Sequence, residues 1–268
     1  MKWPQSMTFI RHGESAYNVL KKIKKDDGSA FAKFETQFWK EYEALHDETW
    51  VSTELKQLAE LARKELIDTF SKGDYSTPLT EAGERQAEET GTHLLEHITL
   101  PDIVYVSPYL RTRQTFAGLV RGCPALAQCR VVFEERIREQ EHGLSTIYND
   151  WRIYLVYNPA QAVLFKRNGD YEYRFLNGEN KSDVRERARS FITTLIREHA
   201  EQNVLVVSHH LTLLSLRANL ERWDKDEFIR VDRTETPINC GMTIYQGDPA
   251  QGSDGRFIMK EYNTQLYS

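Results

Sequence analysis

The sequence is poor in cysteine, with only Cys123, Cys129 and Cys240 in 268 residues. Three is an odd number, and no two stand at close metal-ligand spacing. A disulfide framework and a paired-cysteine zinc site are therefore not expected, and reduced structural thiols fit a cytoplasmic protein. No apolar run approaches the ~18 residues of a membrane span. No signal-type apolar core precedes the first strand-like segment, so neither membrane insertion nor export is expected. A basic excess is lacking too: the formal net charge is −5. This argues against nucleic-acid and membrane-surface partners, while leaving room for a local cationic pocket. Internal repeats, low-complexity tracts and clustered Asp, Glu and His of metal-binding type are also missing, so no metal and no other cofactor is expected.

What is present suits a large α/β domain. The chain is 40% hydrophobic, enough at this length for one substantial core. Strand-like runs lie at 7–10, 102–106, 130–133 and 203–207. Helical patterns follow near 81–97, 109–121, 182–200 and 211–221. This alternation predicts a largely parallel central sheet. Alternating segments at 242–246 and 256–262 add antiparallel edge strands, with a loop beginning at Gly247-Asp248-Pro249. Residues 19–73 interrupt the pattern. Their helical spacing, Phe31-Phe34-Phe38 and Leu55-Leu58-Leu61-Ala62, predicts two or three helices. The expected organisation is a single domain over 1–268 with 19–73 as a helical insertion. That insertion is either an ordinary excursion or a cap that shapes access to a site, and the cap is preferred. Lys21, Lys22, Lys24 and Lys25 are read as a solvated face rather than a binding patch.

Four segments carry chemistry. Arg11-His12-Gly13-Glu14-Ser15-Ala16-Tyr17-Asn18 follows the first strand. It sets a phosphate-binding guanidinium beside an imidazole able to attack phosphorus. Val206-Val207-Ser208-His209-His210 ends the strongest buried strand, and catalytic groups of open α/β sheets gather at such carboxyl ends. Ser107-Pro108-Tyr109-Leu110-Arg111 ends one strand and opens a helix, so Arg111 in the first turn requires an anionic partner. Arg113 sits on another helical face and points to solvent. Arg136-Ile137-Arg138-Glu139-Gln140-Glu141-His142-Gly143 offers Glu139 or Glu141 as an acid that protonates a leaving oxygen and then activates water. Spacing does not choose between them.

Together these segments resemble the histidine phosphatase superfamily, the phosphoglycerate-mutase-like fold. The Arg-His-Gly-Glu start, Asn18, Leu79-Thr80-Glu81-Ala82-Gly83, the Ser-Pro-x-x-Arg segment and the second strand-end histidine occur in the family's order. The resemblance implies a three-layer α/β/α fold. It makes His12 the phosphorylated nucleophile. Arg11, Asn18, Arg111 and His209 would hold phosphoryl oxygens, assisted by the backbone N–H of His210. It also selects Glu139, four residues before Gly143, over Glu141. Three departures stand out: His210 replaces the family's usual glycine, Ser76 stands where an aspartate is usual, and the insertion is far longer than the usual link.

The implied activity is phosphomonoester hydrolysis on a small phosphorylated metabolite or a phosphoprotein. A bisphosphate-primed mutase is the alternative. The segment between Glu139 and Glu179 holds only scattered cations, Arg152, Lys166, Arg167 and Arg174, which favours the phosphatase. A non-catalytic phospho-ligand module ranks below both, because His12, Arg11 and His209 are intact. Tyr17, Trp39, Trp50 and Tyr148 are read as packing rather than as a substrate pocket. No feature fixes the oligomeric state.

Overall fold

The structure, a computed structural model, describes residues 3–69, 73–251 and 256–268. In chain order the regular elements are β1 (Ser6–Arg11), α1 (Ala16–Lys24), α2 (Ala30–Glu43), α3 (Thr53–Thr69), α4 (Glu81–His93), β2 (Ile103–Val106), α5 (Leu110–Gly122), β3 (Arg130–Phe133), α6 (Trp151–Tyr157), α7 (Pro159–Glu172), α8 (Lys181–Glu198), β4 (Asn203–Ser208), α9 (His210–Leu220), α10 (Lys225–Thr234), β5 (Met242–Asp248) and β6 (Arg256–Thr264). They divide into two compact units. One holds residues up to 15, 75–139 and 183–268; the other holds 16–74 and 140–182.

The first unit is built on one sheet of order β3-β2-β4-β1-β5-β6. β3, β2, β4 and β1 run parallel, β5 pairs antiparallel with β1, and β6 pairs antiparallel with β5. The centre of β4, Val204-Leu205-Val206-Val207, is an uninterrupted apolar run, as expected of a central parallel strand covered on both faces. Alternate strand residues feed two cores. Met7, Phe9, Tyr105, Val204 and Val206 meet Phe191 and Leu195 of α8 and Leu213 and Leu216 of α9. Ile10, Val104, Val106, Leu205 and Val207 meet Leu94 and Leu119, on the side of α4 and α5. The result is the three-layer α/β/α arrangement with a mostly parallel sheet. β5 continues through Gly247 and Asp248, so the loop expected from Gly247 starts later, because both residues pair with β6.

The second unit has its own apolar core. Phe31, Phe34 and Phe38 line one face of α2, which Ser29 caps by accepting from the N–H of Ala32. In α3 the buried stripe is Leu55, Ala59, Ala62 and Leu66, while Leu61 is 57% exposed. The stripe expected through Leu61 is thus rotated, because Leu58 and Leu61 flank the face that Ala59 and Ala62 open for close packing. The other half of this core is Ile153, Tyr154, Leu155 and Val156 of α6, with Ala162, Tyr173 and Phe175. Tyr17, Trp50 and Tyr148 pack against it, and Trp39 lies in ring contact with Phe38 and Tyr42. Among the lysines read as a solvated face, Lys24 departs: its ammonium donates to Asp150 at 2.8 Å and to the carbonyl of Asn149 at 2.7 Å. Among the described residues, no helix is long and apolar enough to cross a membrane.

Candidate active site

The parallel register sets three strand ends side by side. Arg11 pairs with Ser208, and Val106 with Val207. The residues that follow, His12, His209 and Ser107, therefore leave the sheet at the same edge. The turn after β1 can pass there only because two glycines face each other. A Cβ on Gly13 would stand 2.5 Å from the carbonyl oxygen of Gly83, and one on Gly83 only 2.0 Å from that of Glu14. The Leu-Thr-x-x-Gly segment exists for this approach. Thr80 caps α4 by accepting from the N–H of Gly83, and its own N–H donates to the carbonyl of Glu14 at 2.9 Å. Thr115 of α5 completes the hold by accepting from the N–H of Gly13 at 3.0 Å.

His12 is buried, and its Nδ1 lies 2.7 Å from the carbonyl oxygen of Gly13. A carbonyl only accepts, so Nδ1 carries the hydrogen and Nε2 carries the lone pair. The ring centroid of His209 stands 5.3 Å away. His209 is completely buried. Its Nε2 is 2.7 Å from the hydroxyl of Ser107, while its Nδ1 has no hydrogen-bond partner. Burial, then the positive charge of Arg111 and the neighbouring His12, Arg187 and Arg11, hold its pKa well below the ordinary 6.5. It is neutral at physiological pH. Below that ordinary value the unfolded chain binds a proton that the folded chain refuses, so stability falls as the solution is acidified from pH 7.5 towards 5. For one group the loss reaches about 1.4 kcal/mol per pH unit. Denaturant titrations at both pH values should show His209→Gln losing less than the wild type. Equal losses would mean that the imidazole is not held neutral.

Two guanidinium groups flank the imidazoles. Arg11 is 7% and Arg111 4% exposed, a degree of burial rare for arginine. Arg11 donates from Nη1 to the carbonyl of Pro237 at 2.5 Å, while its buried Nε has no partner. Burial lowers its pKa to about 10, with Glu139 opposing and Arg111 adding to the shift, so it remains charged at neutral pH. Arg111, in the first turn of α5, lies over the ring of Tyr109 at 5.0 Å. That ring in turn contacts His209 at 5.1 Å between centroids. Arg113 is exposed, as its helical face requires.

Glu139 is half-buried. Its Oε2 lies 3.5 Å from the N–H of Leu211 at the start of α9, and its charge reaches Arg11. It therefore shares the unit that holds His12, Arg11, Arg111 and His209. Its rival Glu141 belongs to the other unit and is exposed, with its N–H on the carboxylate of Glu179 at 3.1 Å. Asn18 is in the second unit as well, half-buried on α1. The imidazole of His210 lies against Asp232 of α10, Nε2 to Oδ1 3.1 Å. Its side chain is thus engaged with a carboxylate, and its backbone N–H is the group that opens α9. Ser107, Thr115, Ser208 and Asn239 were not singled out from the sequence. Ser107 and Ser208 fall inside the motif segments and Thr115 lies one helical turn beyond Arg111, whereas Asn239, whose side chain donates to the carbonyl of His12 at 2.9 Å, has no local signal. Among the described residues no group of three or more His, Cys, Asp or Glu side chains could hold a metal ion.

The sequence model of the histidine phosphatase superfamily (branch 1) matches residues 67–252. That span includes Arg111, Glu139, His209 and His210 and leaves out Arg11, His12 and Asn18. A phosphoglycerate mutase-like protein of Arabidopsis thaliana is 30% identical over 212 residues, covering 72% of this chain and 70% of that protein. Phosphoserine phosphatase 1 of Hydrogenobacter thermophilus is 28% identical over 159 residues, 56% of this chain and 67% of that protein. The crystal structure of the alpha-ribazole phosphatase from Shigella flexneri has the same fold, with a TM-score of 0.63, 18% sequence identity and 98% coverage of both chains.

Proposed function

Since the chain belongs to the histidine phosphatase superfamily, we propose that it hydrolyses phosphomonoesters through a phosphohistidine formed on His12. The observation that carries this reading is the pair of buried imidazoles, 5.3 Å apart between centroids, set among two buried guanidinium groups. The hydrogen bond from Nδ1 to Gly13 leaves Nε2 as the attacking atom. It forms the N–P bond as the ester P–O bond breaks, and Glu139 gives its proton to the departing oxygen. Water then attacks phosphorus, the N–P bond breaks, and Glu139 takes up the proton. Arg11 and Arg111 balance the charge on the equatorial oxygens, so the transfer requires no metal. With Ser107 as donor to Nε2 of His209, the hydrogen falls on Nδ1, whose lack of a partner is the reason to assign it a phosphoryl oxygen. The backbone N–H of His210 adds the positive end of α9. The part of Asn18 rests on the family resemblance.

A small phosphorylated metabolite is the proposed substrate class, in keeping with an alpha-ribazole phosphatase and a phosphoserine phosphatase among the similar proteins. A mutase reading draws support from the plant relative described as phosphoglycerate mutase-like. One assay separates the two readings. Phosphate release from a panel of phosphomonoesters is expected without any primer. Isomerisation of phosphoglycerate that depends on 2,3-bisphosphoglycerate, with little phosphate released, would reverse the order.

A further inference from the structure

Resting on the reading of Glu139 as acid and base, we infer that Arg187, Thr212 and Ser208 are positioning residues that fix its carboxylate by clamping the backbone that carries it. Residues 136–139 leave a short 3-10 turn, Glu135–Ile137, and run extended through Arg138. This segment has no strand partner to donate to its carbonyl oxygens. Each of four successive carbonyls nevertheless receives a side-chain donor. Arg187 on α8 donates from Nη1 to Arg136 at 2.8 Å and from Nη2 to Glu139 at 3.0 Å. Ser208, the last residue of β4, donates to Ile137 at 2.7 Å. Thr212, in the first turn of α9, donates to Arg138 at 2.5 Å.

Two features set this apart from ordinary loop satisfaction. A threonine inside a helix commonly bonds back to the carbonyl four residues earlier. Thr212 instead reaches across to another element, and it and Ser208 are fully buried. The donors also come from the elements that build the rest of the site. Ser208 and Thr212 bracket His209, and the N–H of Leu211 between them faces the Glu139 carboxylate. The acid and the phosphoryl-binding histidine are thus set by one rigid β4–α9 junction, with Arg187 as the outer brace. No pattern in α8 singles Arg187 out from the sequence.

The test exploits the leaving group. An alkyl phosphate needs a proton on its departing oxygen, whereas p-nitrophenyl phosphate does not, so a misplaced acid harms the first selectively. Thr212→Val and Arg187→Met are expected to lose roughly 10- to 100-fold in kcat/KM on an alkyl phosphate, the scale on which a slight displacement of a catalytic group acts. On p-nitrophenyl phosphate the loss should stay within about threefold. Thr212→Ser, which restores the hydroxyl, should recover the wild-type ratio. Arg187→Lys, which keeps the charge but not the fork, should recover only part of it. Glu139→Gln is run beside them. If it shows the selective loss and the clamp variants lose equally on both substrates, or not at all, the inference is overturned while the reading stands. If Glu139→Gln is itself unselective, the reading fails and the inference with it. Melting curves exclude variants that do not fold, and Ser208→Ala then replaces Thr212→Val.

Discussion

Replacing His12 by alanine is expected to abolish phosphomonoester hydrolysis, with kcat falling on the order of 10⁵-fold or more, the scale on which loss of a covalent nucleophile acts. The fold should survive, because the imidazole's hydrogen bond to Gly13 is local to one turn. The lost bond costs about 1 kcal/mol. Substrate affinity should change little. On the proposed reading Arg11, Arg111 and His209 surround the phosphoryl group without His12, and the space left by the ring removes a contact made mainly in the transition state. The variant should therefore behave as a trap, with kcat lost and Kd nearly kept. Arg111→Ala provides the contrast. Removing one preorganised donor costs about 3 kcal/mol in the transition state, so a residual rate near 10⁻² of wild type is expected. In the wild type, a rapid quench in base during turnover of a labelled substrate should leave the label on the protein, and mild acid should release it. Full hydrolysis by His12→Ala would sink the covalent mechanism. Loss of activity without label on the wild type would point to direct attack by water.

How far this site could be read from the chain depends on where its groups lie. Strand ends are legible, because a β-branched run closed by a polar pair shows both the element and the edge where it stops. Arg11, His12 and His209 fall there, and the parallel pairing of β1 with β4 joins them. Arg111 was legible from its place in the first turn of α5. Glu139 against Glu141 was not, since both sit in irregular backbone where no periodicity indicates direction. The structure separates them into different units. Arg187 and Asn239 act at long range on main-chain carbonyls, and such bonds leave no local pattern. The same limit applies to the second core. The aromatic stripe of α2 was evident in Phe31, Phe34 and Phe38, but its partner lies in residues 140–182. Those residues look unremarkable until Ile153, Tyr154 and Leu155 are seen to be fully buried. Lys24, placed among exposed lysines by its neighbours in sequence, is drawn inward by a carboxylate 126 positions away.

That carboxylate marks where the second unit is most sensitive. Asp150→Ala is expected to destabilise the unit by about 4 kcal/mol, the range found when one partner of a buried ion pair is removed. Asp150 has a side chain only 2% exposed. Its Oδ2 accepts from Lys24 at 2.8 Å and from Nη2 of Arg152 at 2.9 Å. Its Oδ1 accepts from the backbone N–H of Arg152 at 2.8 Å, capping α6, and from Nε of the same residue at 2.9 Å. Arg152 is further held by Glu35 of α2. Both cations lie over the ring of Phe31, at 5.3 Å for Lys24 and 4.8 Å for Arg152. Alanine would leave two buried positive charges facing each other and an uncapped helix. Asparagine, which keeps the cap and the shape, should cost less. Acid should imitate the substitution. Burial alone would raise the carboxyl's pKa, but Lys24 and Arg152 overcome it and hold the group below its ordinary 3.8. A depressed folded value means that the ion pair stabilises the unit above about pH 3.8 and is lost as the pH falls through the folded value. Hydrogen exchange at successive pH values would show the amides of α2 and α6 opening together in that window for the wild type. In Asp150→Ala they should already be open near neutrality. A variant that melts within about 1 kcal/mol of the wild type would show that the charges find other partners, and that aromatic packing around Phe38 holds the unit by itself.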